Sequence, residues 1–314
     1  MQKSSFAAHF SRIEMFVRWG FHPGPRPLAL GIRTFLSLWV MALVLSGCNH
    51  LFYFPSSEIV LTPERLQLDY QPVEIASTDR VRLSAWWMKP PPSAKLRRVV
   101  LHLHGNAENM STHFLFVAWL VAEGYDVITF DYRGYGQSSK TPPTQSGLVD
   151  DTCAALAWIR QNKSLKDLPL FVIGQSLGGA VAAASLYRCP PKQLRGSVFD
   201  STFSSYRRMA RAKIAQTWIF WPLQWPLSLL VSDHEDLLHA VSKVPGPYLF
   251  FHSSGDPVVP AWLGRELFDA APDPKEWITL EDQSHIRAFA EPESPGRAKI
   301  LEFFHNTLSQ QKLP

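Results

Sequence analysis

A serine set among glycines, Gly174-Gln175-Ser176-Leu177-Gly178-Gly179, stands between an apolar run that reads as a strand (170–174) and one that reads as a helix (177–187). A tight strand-to-helix turn exposes such a hydroxyl and sets it at a helix N-terminus, where negative charge is favoured. A serine hydroxyl is a weak nucleophile at neutral pH and needs a base. His285 lies in the loop between the last strand-like run (277–280) and the final helical pattern (295–308). Asp256, in Ser254-Gly255-Asp256-Pro257-Val258-Val259-Pro260, follows the preceding strand-like run (248–251). Ser176, His285 and Asp256 are therefore candidates for nucleophile, general base, and the acid that fixes the tautomer of the base and offsets its charge. Asp200, after the run 196–199, is the rival acid. An oxyanion needs two N–H donors. Leu177 N–H, just after the nucleophile, and Asn106 N–H, in His102-Leu103-His104-Gly105-Asn106, are the candidates, with Gly105 leaving room for substrate. His104 reads as a residue that ties this loop down.

The elements that would position these groups alternate. Residues 81–87 place Val81, Leu83, Ala85 and Trp87 on one face, as a half-buried strand does, and continuous apolar runs at 99–103, 127–130 and 170–174 read as buried strands. Helical patterns at 114–122, 148–162, 177–187, 261–271 and 295–308 fall between or after them. Such alternation predicts an α/β protein with a mostly parallel central sheet and helices on both faces. The alternation pauses over 206–244, where Trp218, Phe220, Trp221, Pro222, Trp225 and Pro226 crowd together. That insertion reads as a small aromatic-rich cap, packed on the body or lying as an apolar lid over an acyl pocket, or as a patch that touches lipid.

The chain has 314 residues, 46% hydrophobic and 18% charged, which supports a large core and excludes wholesale disorder. Lys3, Arg12, Arg18, Arg26 and Arg33 against Glu14 account for the whole net charge of +4 within residues 1–47. The remainder is neutral, so the basic balance gives no ground for a nucleic-acid partner. A basic stretch followed by the short apolar run 34–45 fits a secretory signal, too short to span a bilayer comfortably. No zinc-ligand spacing or phosphate-binding loop occurs, and no cofactor or metal is expected. Cys153 and Cys189 could pair in an oxidising compartment or remain buried thiols; spacing does not decide between these.

Leu45-Ser46-Gly47-Cys48 resembles the bacterial lipobox. That resemblance implies cleavage after residue 47, lipidation of Cys48 and a tether over 48–65, ahead of a hydrolase domain at 66–314. With Asn49 next to it, Cys48 would sort to the outer membrane, facing the periplasm; an uncleaved inner-membrane anchor is the alternative. Beyond the leader, His104-Gly105-Asn106-Ala107-Glu108-Asn109, Asp131-Tyr132-Arg133-Gly134-Tyr135-Gly136-Gln137-Ser138, the Ser176 turn and Gly255-Asp256-Pro257-Val258-Val259-Pro260 resemble the α/β-hydrolase superfamily, within it the serine-aminopeptidase-like and Bem-type hydrolases. The resemblance runs from about residue 73 to 308. It departs at Asp282-Gln283-Ser284, where such proteins usually carry a glycine before the histidine. It implies a Ser-Asp-His triad acting through an acyl-enzyme on a small-molecule acyl substrate; serine at 176 disfavours the dehalogenase, epoxide-hydrolase and dienelactone-hydrolase branches. Ester or thioester hydrolysis is the first expectation. An aminopeptidase, using Glu108, Asp233, Glu235 or Asp236 to hold an ammonium group, and a non-catalytic envelope binding protein are the alternatives.

Overall fold

The computed structural model describes residues 53–94, 96–216 and 218–310. All lie in the second of the chain's two units, residues 47–314. The leader, Cys48 and the start of the expected tether lie outside the described residues. Ten strands are described: β1 (Phe54–Pro55), β2 (Tyr70–Ala76), β3 (Arg82–Met88), β4 (Arg98–Leu103), β5 (Ala107–Glu108), β6 (Tyr125–Phe130), β7 (Leu170–Gln175), β8 (Leu194–Asp200), β9 (Tyr248–Ser253) and β10 (Lys275–Leu280). The helices are α1 (Met110–His113), α2 (Gln145–Gln161), α3 (Leu177–Arg188), α4 (Tyr206–Gln216), α5 (Gln224–Ser228), α6 (Leu237–Lys243), α7 (Ala261–Ala270) and α8 (Pro295–Gln310). Eight strands form one sheet in the order β10-β9-β8-β7-β4-β6-β3-β2, and β1 pairs with β5 apart from it. Only β3 runs against its neighbours. Strands β4, β6 and β7 are buried along nearly their whole length on both faces, which is why they read as unbroken apolar runs. One face packs Leu148 and Val149 of α2, Val181 of α3, Leu237 of α6 and Leu263 of α7. The other packs Met110 of α1 and Ile300 and Phe304 of α8. Among the described residues no helix is long and apolar enough to cross a membrane.

The expected helix at 114–122 is instead two three-residue-period turns, Phe114–Phe116 and Ala118–Val121. That period stacks every third side chain, and Phe114, Val117 and Leu120 are all fully buried against the sheet. Strand β2 gives no apolar alternation because it is an edge strand, mostly exposed, with Pro72 tolerated there. In the 206–244 insertion, α4, the turn Trp218–Leu223 and α5 form the cap, whereas α6 packs on α3 within the main body. Cys153 of α2 and Cys189, just past α3, form a disulfide. In the expected tether, Phe54 and Pro55 are docked by parallel pairing with Ala107 and Glu108.

Candidate functional site

The sheet is wound outward in both directions from β4, so the C-terminal ends of β4 and β7 flank the switch point where such sheets bind ligands. The register sets Leu103 beside Gly174, bringing the loop after β4 against the turn after β7. Ser176 occupies that turn at φ 52°, a left-handed conformation costly for a residue with a side chain. The turn is held by Ser176 N–H donating to Asp200 O at 2.8 Å and by Thr202 Oγ1 donating to Ser176 O at 3.0 Å. Two glycines are obligatory. A Cβ at Gly174 would lie 2.6 Å from Gly178 O, and one at Gly178 would lie 2.0 Å from Leu103 O. The second contact is thus with the neighbouring strand and not across the turn. Leu177 opens α3, with its N–H at the positive end of the helix.

The loop after β4 owes its shape to the 131–138 motif. Tyr135 OH lies 2.9 Å from both the carbonyl and the side-chain oxygen of Asn106 and shares its one proton between them. Asp131 Oδ1 accepts from Met110 N–H at 2.7 Å, and a Cβ at Gly136 would fall 1.8 Å from Asp131 Oδ2. His104 is buried, donates from Nδ1 to Gly105 O at 2.8 Å and packs on Tyr132. Burial holds its imidazole well below its ordinary pKa, and the neighbouring His113 lowers it further, so it stays neutral.

His285 Nδ1 donates to Asp256 Oδ2 at 2.8 Å. In the neutral ring, this bond leaves Nε2 with the lone pair that can accept a proton. Asp256 Oδ1 accepts from Val258 N–H at 2.7 Å and Val259 N–H at 2.9 Å, so Pro257 and the valines shape a turn that cradles the carboxylate. Burial pushes the Asp256 carboxyl up, but the bond and charge of His285 and the two N–H donors outweigh this and hold it below the usual carboxylate range. Asp200 is also buried, yet it accepts from Gln175 Nε2 at 3.1 Å and from Ser201 Oγ at 3.3 Å, with no bond to His285. Gln175 Nε2 also reaches Ile286 O at 3.3 Å, and Ser201 Oγ accepts from Ile286 N–H at 3.3 Å. These two bonds hold the His285 loop to the ends of β7 and β8.

Ser176, Leu177, Asn106 and His285 all border one cavity of about 770 Å³. Its other walls are largely apolar, with Phe203, Met209, Ile214, Leu227, Leu230 and Val231 among them. Residues 94–242 match the family profile described as "Serine aminopeptidase, S33". The Escherichia coli protein YfhR is 31% identical over 280 residues, covering 88% of this chain and 94% of its own. The α/β-hydrolase domain-containing protein WAV2 of Arabidopsis thaliana is 28% identical over 244 residues, covering 74% of this chain and 78% of its own. The chain belongs to the α/β-hydrolase superfamily. The esterase Pf2001 of Pyrococcus furiosus shares the fold of this hydrolase, with a TM-score of 0.65 at 23% identity over 81% of this chain and 98% of its own.

Among the cavity residues that carried no signal in the sequence are His113, Lys213 and Phe54. His113 donates to Ala107 O at 3.1 Å, and Lys213 donates to Pro257 O at 3.0 Å. The acids expected to hold an ammonium group are turned to other work. Asp233 accepts from Ser205 and from Tyr206 N–H, Glu235 pairs with Arg188, and Asp236 caps α6. Glu108 is exposed beside the cavity's Ala107. Among the described residues no His, Cys, Asp and Glu side chains cluster to hold a metal ion.

Proposed function

We propose that this hydrolase cleaves carboxylic ester or thioester bonds by acyl transfer through Ser176, His285 and Asp256. The observation that carries the reading is the Nδ1–Oδ2 contact of 2.8 Å, with His285 and Ser176 on the wall of the same apolar cavity. Ser176 Oγ attacks the acyl carbon as His285 Nε2 takes its proton. The oxyanion accepts from Leu177 and Asn106 N–H. Collapse expels the alcohol or thiol, which takes the proton from His285. Water, deprotonated by His285, then releases the carboxylate and restores Ser176. Asp256 stays ionised and offsets the imidazolium charge throughout. The apolar walls suit an acyl chain, and the other engagements of Asp233, Glu235 and Asp236 disfavour a peptidase that must seat an ammonium group. A fluorophosphonate probe should label the wild type and not Ser176→Ala; an unlabelled wild type, or an equally labelled variant, refutes the assignment.

The same reading has the chain exported and held at a bacterial membrane, through lipid on Cys48 at the periplasmic face of the outer membrane, with an inner-membrane anchor as the alternative. The Cys153–Cys189 disulfide supports an oxidising compartment.

A further inference from the structure

We infer that the outer face of the cap is a docking surface for an anionic lipid bilayer, and that it seats the mouth of the cavity on the membrane. The cap segment crowds exposed apolar side chains beside the cavity. Phe220, Leu227 and Leu230 line the cavity, and Phe220 and Leu227 are also 48% and 36% exposed. Trp221, Trp225 and Leu229 point outward and are 60%, 62% and 67% exposed, with Ile219 and Leu223 also open. Indole rings concentrated on one exposed face match the boundary between headgroups and acyl chains, which takes amphipathic rings.

Charge selects the occupant. From Tyr206 to Ser232 the sequence carries Arg207, Arg208, Arg211 and Lys213 and no acid. Arg208 is paired with Glu266, and Lys213 lines the cavity. Among the described residues Arg207 and Arg211 have no carboxylate partner, and the guanidinium of Arg211 lies 4.0 Å from the Trp225 ring. Cations beside exposed indoles attract an anionic headgroup layer. A second copy would oppose the same basic cap in a two-fold contact, charge against like charge.

The entry of the chain reinforces this. Phe54, itself exposed, lines the same cavity, and β1 docks on β5 directly after Asn106. Strand β1 therefore lies beside the cavity, next to the Asn106 loop. Where the tether reading of the preceding section holds, Cys48 lies six residues before Phe54 and can be at most about 20 Å from it. An amphiphilic acyl substrate could then pass from the bilayer into the cavity without crossing water. The cap argument itself needs neither the tether nor the hydrolysis.

The test uses the full chain with an environment-sensitive dye on Leu229→Cys, or on Leu96→Cys at the opposite ends of the strands as control, in vesicles of phosphatidylcholine alone or with one-third phosphatidylglycerol. In the anionic vesicles, emission at 229 should shift to the blue and be quenched by brominated lipid, while emission at 96 stays that of water. Arg207→Glu with Arg211→Glu should reduce quenching at 229 at least about tenfold. Water-like emission at 229 in anionic vesicles overturns the proposal. So does a blue shift that rises with protein concentration in lipid-free solution, which would make the patch a contact between copies. Fluorophosphonate labelling reads the hydrolase assignment and the membrane fraction of Cys48→Ser reads the tether, so failure of either is distinguishable from failure at 229.

Discussion

Asp256 and Asp200 are both buried near His285, and their surroundings give them opposite character. Asp256 is held ionised by His285 and two backbone N–H groups. The Asp200 carboxyl is pushed up to about 6, chiefly by burial, against bonds from Gln175 and Ser201 that lower it. Only a carboxylate bonded to the imidazole can fix its tautomer and offset its charge. Asp256→Asn is therefore expected to lower kcat for a p-nitrophenyl ester about 10³–10⁴-fold. Asp200→Asn should stay within about tenfold of the wild type, since the residue touches no reacting atom. Equal losses would reopen the assignment. Asp200 also makes a statement about stability. Its folded value lies above the unfolded 3.8, so between about pH 4 and 6 the native state binds more protons than the unfolded chain. Stability from this group falls as pH rises through that window, and the full cost is present above it. The urea midpoint at pH 7, taken relative to that at pH 4.5, should thus be higher in Asp200→Asn than in the wild type; an unchanged relative midpoint would contradict the raised value. The sequence could rank the two acids by chain order alone. What separates them chemically is the turn at Pro257, which aims two N–H groups at Asp256, and no residue type announces that aim.

Legibility at the level of elements followed the physical origin of each signal. Strands β4, β7 and β9 were legible because a strand buried on both faces must be apolar throughout, and the order of loops at their C-terminal ends follows from them. Strand β2 was not, because an edge strand answers to water on much of its surface. The 114–121 turns share apolar content with a helix and differ only in period, a distinction carried by tertiary packing of Phe114, Val117 and Leu120. The Cys153–Cys189 bond was open in the sequence because proximity of α2 to the end of α3 is a property of the folded layers. It closes a loop of 36 residues, and chain-entropy arguments assign such a link about 2–4 kcal/mol. Cys153→Ser with Cys189→Ser is expected to lower the unfolding free energy by about that amount and Tm by several degrees, with ester hydrolysis at 25 °C retained. A reductant should reproduce the shift in the wild type and leave the double variant unmoved; a wild type indifferent to reductant would place the stabilisation elsewhere.

The cavity belongs to the molecule as a whole, since its walls come from β1, the loops after β4, β7, β8, β9 and β10, and the cap. The candidate nucleophile, base and acid could be read from local spacing, but the size and shape of the space beside them could not, because segments as far apart as Phe54 and Ile286 close it. A volume of about 770 Å³ with apolar walls falls in the range of pockets that take drug-sized apolar ligands. Each methylene moved from water into such walls contributes at most about 0.8 kcal/mol, or about fourfold in kcat/KM when the gain is realised in the transition state. A series of p-nitrophenyl esters should therefore rise in kcat/KM with acyl length and level off once the cavity is filled. Leu230, on the cap side of the cavity, touches the acyl chain in this reading and not the carbonyl. Leu230→Trp should bring the plateau to shorter chains while leaving the acetate ester nearly unaffected, because the added volume takes up space on the cap side of the cavity. A wild-type series flat from acetate onward would show that the acyl group does not enter the cavity, and a variant that loses the acetate ester as well would show that Leu230 acts on the reacting centre instead.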